Sequence, residues 1–274
     1  MVFTRSLTAC FLVLLITQST LGEKFLSIDI EPARIEITGG NRQTQILITG
    51  RRMDRPPVDL THQAKISIVD NQVATLSESL VLGLREGQTS LLVNVEGVET
   101  SIPVIVRGYK DYPAVSFEGD IIPLLTKRHC NSGGCHGRQG GQNGFQLSVF
   151  GFDPITDFEA LTRQSRGRRV FPGAIEQSLI YSKATGLVAH GGGSRMKGDS
   201  QDAELLREWI NQGFPWGSTD TPTVAHIDVT PKSRSMTPRT FQQLRVVATY
   251  SDGSIRDVTR AAAYTTNTAV IAEC

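Results

Sequence analysis

Two segments of this 274-residue chain repeat one pattern, and this repeat constrains the fold more than any other sequence feature. Residues 25–50 begin "FLSIDIEP" and residues 224–250 begin "VAHIDVTP", and both continue into a second run of alternating apolar and polar residues. Further on, Asp-Leu-Thr at residues 59–61 corresponds to Asp-Val-Thr at residues 257–259. Because self-similarity at a fixed spacing indicates a repeated structural unit, we expect two copies of one domain.

Both copies are predicted to be β-structure. Runs such as "IEITG" and "QQLRVVATY" alternate apolar and polar residues, and turn signals such as "TGG" and "SDGS" separate them. Short strands with this spacing over roughly 80–100 residues are typical of a β-sandwich. Residues 248–272, "ATYSDGSIRDVTRAAAYTTNTAVIA", resemble a bacterial immunoglobulin-like domain of group 2. The first copy is similar but has "RRMDRPPVDLT" in place of the Asp-Gly turn.

The repeat also sets the domain boundaries. We predict an immunoglobulin-like β-sandwich over residues 24–107 and a second, truncated immunoglobulin-like domain over residues 223–274. The second copy stops at Cys274, where the pattern has reached about residue 78 of the first. Missing strands would leave a sheet edge and half a core uncovered. The chain is therefore expected to be a fragment or to end inside a domain.

The segment between the copies, residues 115–216, is rich in glycine and has helical patterns near its two ends. "DIIPLLTKRH" places its apolar residues on one side of a short helix, and "DSQDAELLREWINQGF" predicts a longer helix that ends at Gly213. Because the intervening glycines supply few apolar side chains, we expect this segment to lack a sufficient core without a bulky prosthetic group. The apolar stripe of the longer helix consists of Leu205, Leu206, Trp209 and Ile210.

The sequence "CNSGGCHG" contains the thiol and imidazole side chains that could bind a cofactor or metal in this segment: Cys130, Cys135 and His136. Three interpretations are open: covalent haem attachment, a zinc site and a small disulfide. A disulfide would close a short ring and leave His136 without a role. Zinc would also need His129, although adjacent residues of an extended chain point in opposite directions.

A helix, a Cys-spacer-Cys-His motif, a long loop region with a second ligand and a final helix together resemble a cytochrome c domain. The resemblance covers residues 115–216 and is most specific at "CNSGGCHG" and "LLREWINQGF". It implies a mainly α-helical fold and one covalent haem c, bound through thioethers by Cys130 and Cys135, with His136 as the proximal iron ligand. The spacer of four residues departs from the usual two.

The resemblance leaves two candidates for the second iron ligand. Met196 lies just before the last helix, where a cytochrome c has its axial methionine, and His190 lies in "VAHGGGSRMKG". The interpretation favours His190 slightly. A methionine would raise the reduction potential of the haem, whereas a second imidazole would lower it.

The first 22 residues predict export. Arg5 precedes the short apolar run "CFLVLLI", and small residues follow it near Gly22, which is the pattern of a signal peptide at residues 1–22. No apolar run in the chain is long enough to span a bilayer. The mature protein is therefore expected in the periplasm or at the cell surface, without a membrane span.

The composition narrows the function. A net charge of +1 gives no basic field for nucleic acid, and no catalytic set of residues is recognisable, so we do not predict an enzyme. The sequence predicts an exported c-type cytochrome-like protein for one-electron transfer or redox sensing. Its immunoglobulin-like domains would position the haem or bind a cell-surface or polysaccharide partner. The sequence does not indicate which redox partner protein would exchange electrons with the haem. The alternative is an adhesion or binding protein with a haemless cytochrome module.

A basic loop contains Arg163, Arg166, Arg168 and Arg169. One interpretation is a solvated charged loop. The other is that one or two of these arginines pair with haem propionates or with an electron-transfer partner.

Overall fold

A computed structural model describes residues 25–38, 43–108, 114–218 and 221–274. The predicted signal peptide at residues 1–22 lies outside the described residues. Among the described residues, no helix is both long and apolar enough to cross a membrane.

The first copy forms three sheets. One has the order β1-β4-β5, a second β2-β10-β9-β6 and a third β3-β8-β7. Neighbouring strands are antiparallel except β2 and β10, which are parallel. The strands are β1 (Ser27–Glu31), β2 (Ile35–Thr38), β3 (Gln43–Gln45), β4 (Leu47–Arg51), β5 (Val58–Asp59), β6 (Lys65–Ile68), β7 (Ala74–Ser77), β8 (Leu80–Gly83), β9 (Gly87–Val95) and β10 (Val98–Arg107).

One hydrophobic core joins these three sheets. In β9, Leu91, Val93 and Val95 are buried while the residues between them are more exposed, as the two-residue period of a strand requires. Ile48 of β4 and Val81 of β8 belong to the same buried cluster. The sheet containing β9 therefore packs its apolar face against the other two, and the prediction of a sandwich-like β-domain is confirmed at this level.

The second copy repeats the beginning of the first. Its strands β11 (Val224–Thr230), β12 (Arg245–Tyr250) and β13 (Ile255–Asp257) form a sheet of that order, which corresponds to β1-β4-β5. The register is also equivalent, because Thr49 pairs with Asp59 in the first copy and Val247 pairs with Asp257 in the second. The structure thus confirms the internal repeat.

The middle segment contains four α-helices and several short helical turns, so its centre is less irregular than the sequence analysis predicted. Short helical segments are Phe117–Ile121, which is π-helical, and Val149–Gly151, Gln164–Gly167 and Ile175–Gln177, which are 3-10. The helices are α1 (Ile122–Lys127), α2 (Pro154–Thr162), α3 (Leu179–Ala184) and α4 (Gln201–Asn211).

Helix α4 is the long helix that the sequence predicts. The Ser200 side chain caps it by accepting a hydrogen bond from Ala203 N, and Gly213, at φ +80°, follows its end. Leu206, Trp209 and Ile210 are buried in the core, as expected for the apolar stripe.

The expectation that the middle segment lacks a core of its own is wrong. Sixteen buried residues form one cluster there, which includes Phe117, Leu124, Leu161, Tyr181 and Trp209. Most of the sixteen come from α1 to α4 and the turn before α1, so helices at both ends and in the centre supply most of the apolar surface. The others, Val115, Leu147, Val170 and Met196, lie in connecting segments. The glycine-rich stretches lie in the connecting loops, so glycine occupies few of the positions that form the core.

Candidate functional site

The loop that follows α1 carries the two cysteines and His136. Cys130 N–H donates to Leu125 O at 2.8 Å, and His136 N–H donates to Cys130 O at 3.0 Å, which closes the four-residue spacer into a compact turn. Both cysteines are half-buried free thiols, so the structure does not contain the small disulfide. Within the spacer, a Cβ at Gly133 or Gly134 would meet open space, so neither position requires glycine for steric reasons.

Gly137 lets the chain fold back directly after His136. A Cβ at this position would lie 2.2 Å from the carbonyl oxygen of Asn131. Only glycine permits so close an approach of two backbone segments. The glycine thus fixes the path of the loop, and with it the position of the neighbouring imidazole.

The His136 ring is held by the chain that follows it. Its Nδ1 lies 2.9 Å from Phe145 O, and the ring centroids of His136 and Phe145 are 4.5 Å apart. Since a carbonyl oxygen can only accept, Nδ1 carries the proton and Nε2 retains its lone pair. Burial lowers the pKa of the His136 imidazole, so the ring is neutral at pH 7. A neutral ring anchored through Nδ1 is the usual state of a histidine that binds a metal.

His190 lies beside His136. Its Nδ1 lies 3.1 Å from Gly193 O within the "HGGG" turn, so its Nε2 is also available. The two imidazole rings are nearly parallel, at 5°, with their centroids 6.2 Å apart. Fifty-four residues separate the two histidines in sequence, and the fold brings them together.

Met196 is buried. Its side chain is only 5% exposed and belongs to the hydrophobic core of the middle segment. Its backbone N–H donates to Ala184 O at 3.1 Å. Of the two candidates for a second ligand, the structure brings His190 to His136 and packs Met196 among the core side chains.

The zinc interpretation finds no geometric support. Within the described ranges, no group of three or more His, Cys, Asp or Glu side chains is arranged to hold a metal ion. His129 is exposed and has a φ of +59°. The four residues proposed as zinc ligands therefore do not converge.

The sequence analysis missed a cationic residue at the site. A guanidinium nitrogen of Arg195 lies 3.5 Å from Cys135 Sγ. Burial raises the pKa of the Cys130 thiol to about 11, and the positive charge of Arg195 opposes that shift. The only sequence signal was the position of Arg195 between His190 and Met196, which lacked a recognisable motif.

Arg169 contacts Phe145, the residue that holds the His136 ring. Its guanidinium is 5% exposed and lies over the Phe145 ring at 4.5 Å, while Phe145 O binds His136. It also donates to Ala160 O at 2.7 Å and to Gly144 O at 3.2 Å. Of the basic loop, Arg163, Arg166 and Arg168 are exposed and Arg169 is structural.

Replacing Arg169 by lysine is expected to lower the free energy of unfolding of the middle segment by about 2–4 kcal/mol, because an ammonium group cannot serve these separated acceptors or stack on Phe145. Urea denaturation measures the change. Arg168→Lys, at an exposed neighbouring position, is the control and should change it by less than about 0.5 kcal/mol. Equal effects of the two variants would contradict the structural role of Arg169.

Apolar surface lies next to the paired histidines. Leu187 and Val188, just before His190, are 63% and 45% exposed. The arrangement combines two free imidazole nitrogens, two thiols and an uncovered apolar surface.

Comparisons with known proteins give no family. No protein-family model and no curated protein matches the chain. Among solved structures, it is similar to the S-layer protein SbsC, domains 5-6, at 17% sequence identity and a TM-score of 0.26, over 31% of this chain and 45% of that chain. The chain thus spans less than half the length of that structure, and the likeness carries no argument about function.

Proposed function

We propose that this protein is an exported c-type cytochrome-like protein that binds one covalent haem in its middle segment and transfers single electrons. The observation that carries the proposal is the pair of parallel imidazoles of His136 and His190. The cytochrome c-like character of residues 115–216 is part of the same proposal and is supported by the helical core and the Cys-x4-Cys-His loop.

The two rings lie close enough to share one metal ion. Imidazole nitrogens bind metals at about 2 Å, so both rings must lie near a metal that they share. The distance between the His136 and His190 centroids is 6.2 Å. Both rings are tied through Nδ1 to backbone carbonyls, which leaves Nε2 of each as the ligand atom.

The remaining residues fit the haem as well. Cys130 and Cys135 are free thiols directly before His136, as thioether attachment requires. Leu187 and Val188 offer apolar surface for the porphyrin, and Arg195 offers a cation for a propionate.

The ligand set favours electron transfer over catalysis. A haem iron supplies one-electron redox chemistry, and two histidine ligands give it a lower potential than histidine and methionine do. His136 and His190 would both bind the iron, and the haem would supply one-electron redox chemistry. The immunoglobulin-like copies would then position the haem or bind a surface partner, and a separate redox protein would exchange electrons with it.

Co-expression with c-type maturation factors tests the proposal. We expect a Soret band and haem that stays on the chain after denaturation, because thioether bonds survive unfolding. Cys130→Ala and Cys135→Ala together should abolish the denaturation-resistant haem. Cys274→Ala, at an exposed cysteine far from the motif, is the matched control and should retain it. A colourless wild-type product with Cys130 and Cys135 linked as a disulfide would overturn the proposal in favour of an adhesion protein.

A further inference from the structure

The two immunoglobulin-like copies contact each other through the same positions. In the first copy, Asp59 Oδ2 accepts a hydrogen bond from Gln243 N–H of the second. In the second copy, Asp257 Oδ2 accepts one at 3.0 Å from Gln45 N–H of the first. By the repeat, Asp59 corresponds to Asp257 and Gln45 to Gln243, so the two contacts are reciprocal.

The loops that present the two aspartates are built alike. In each, the other carboxylate oxygen accepts from the N–H two residues later: Thr61 N to Asp59 Oδ1 at 2.8 Å, and Thr259 N to Asp257 Oδ1 at 3.0 Å. The second oxygen of each carboxylate, Oδ2, accepts from a backbone N–H of the opposite copy. Asp257 Oδ2 also pairs with Arg245 of its own copy.

The donor on the first copy, Gln45 N–H, belongs to an edge strand. Gln45 is in β3, the edge strand of the sheet β3-β8-β7. An edge strand presents N–H groups without strand partners, and proteins cover such edges. Here Asp257 covers it with a carboxylate that is itself only 4% exposed and is further paired with Arg245 at 3.1 Å. A carboxylate so buried is stable only when its oxygens have donors.

The two ends of the middle segment lie side by side, which brings the two copies close to each other. Phe117 N–H donates to Trp216 O at 3.0 Å, and Val115 N–H donates to Gln212 Oε1 at 2.8 Å. The chain therefore enters and leaves the middle segment at adjacent points. Ion pairs between Arg245 and Glu31 at 3.5 Å, and between Arg260 and Glu78 at 3.7 Å, lie across the same contact.

We propose that the surface formed by Gln45 and Asp59 is a homotypic interaction surface whose partner is the equivalent surface of a second immunoglobulin-like copy, here Gln243 and Asp257 of the same chain. A contact in which each member supplies the same donor and acceptor is self-complementary, as in a two-fold symmetric dimer. The pairing joins the two copies directly, and the middle segment connects them along the chain. It does not depend on haem.

Hydrogen exchange at single amides of the whole chain tests this surface. In the Asp257→Ala variant, the amide of Gln45, which lies 212 residues away in the other copy, should exchange about tenfold faster or more, because it loses a bond to a charged acceptor. Asp59→Ala should accelerate the amide of Gln243 in the same way. Amides of β9, inside the first copy, should keep their protection in both variants.

Asp252→Ala is the matched control. Asp252 accepts from Ser254 N at 2.9 Å within its own turn, so this variant perturbs the second copy without touching the first. Its Gln45 amide should exchange at the wild-type rate. The proposal is overturned if Gln45 exchanges equally fast in wild type and Asp257→Ala, or if Asp252→Ala accelerates it as much as Asp257→Ala does.

Discussion

In the haem-loaded protein, replacing His190 by alanine is expected to convert a six-coordinate, low-spin iron into a five-coordinate, high-spin one. The imidazole of His190 is parallel to that of His136 at a centroid distance of 6.2 Å, and alanine has no ligand atom to replace Nε2. Absorption and electron paramagnetic resonance spectra report the change directly. The reduction potential should rise, since one of two electron-donating imidazoles is lost.

Met196→Ala is the control that separates the two candidate ligands. Because the Met196 side chain is 5% exposed and packs in the core, its loss should leave the low-spin spectrum intact. It should instead lower the free energy of unfolding by about 2–5 kcal/mol, as expected for deleting a buried methionine side chain. A high-spin spectrum in Met196→Ala with a wild-type spectrum in His190→Ala would reverse the assignment.

The sequence predicted those parts of the fold that depend on neighbouring residues in the chain or on the repeat. The apolar stripe of α4 and its end at Gly213 follow from residue spacing and from the preference for glycine after a helix, and both are present in the structure. The correspondence of Asp59 with Asp257 predicted two equivalent sheets, and their registers agree. Each of these features depends on residues that are close in sequence or on a repeated pattern.

Features that depend on distant contacts were not predictable in this way. Helices α2 and α3 span only nine and six residues, too few turns for a clear helical period, and their core contacts come from elements far away in sequence. Whether His190 or Met196 faces His136 depends on how one loop packs, because both residues lie in "HGGGSRMKG". The contact between Gln243 and Asp59 spans 184 residues, and neither residue type signals it.

The self-sufficient core of the middle segment leads to the second large effect. Trp209 is completely buried, and its ring centroid lies 5.5 Å from that of Phe117. Its Nε1–H donates to Pro215 O at 2.9 Å, which ties the end of α4 to the chain that leaves the segment. Trp209→Ala should therefore lower the free energy of unfolding of the haem-free protein by about 3–5 kcal/mol, through the cavity it creates.

Trp209→Phe separates the packing of this side chain from its hydrogen bond. Phenylalanine retains most of the apolar ring but has no N–H, so the expected loss is about 1–3 kcal/mol, the cost of leaving the Pro215 carbonyl without its donor. The chain has two tryptophans, and in both variants the remaining one, Trp216, reports unfolding of this segment by its fluorescence in urea. A haem-free wild-type protein without a cooperative Trp transition would show that the sixteen buried side chains do not suffice, and that the porphyrin completes the core.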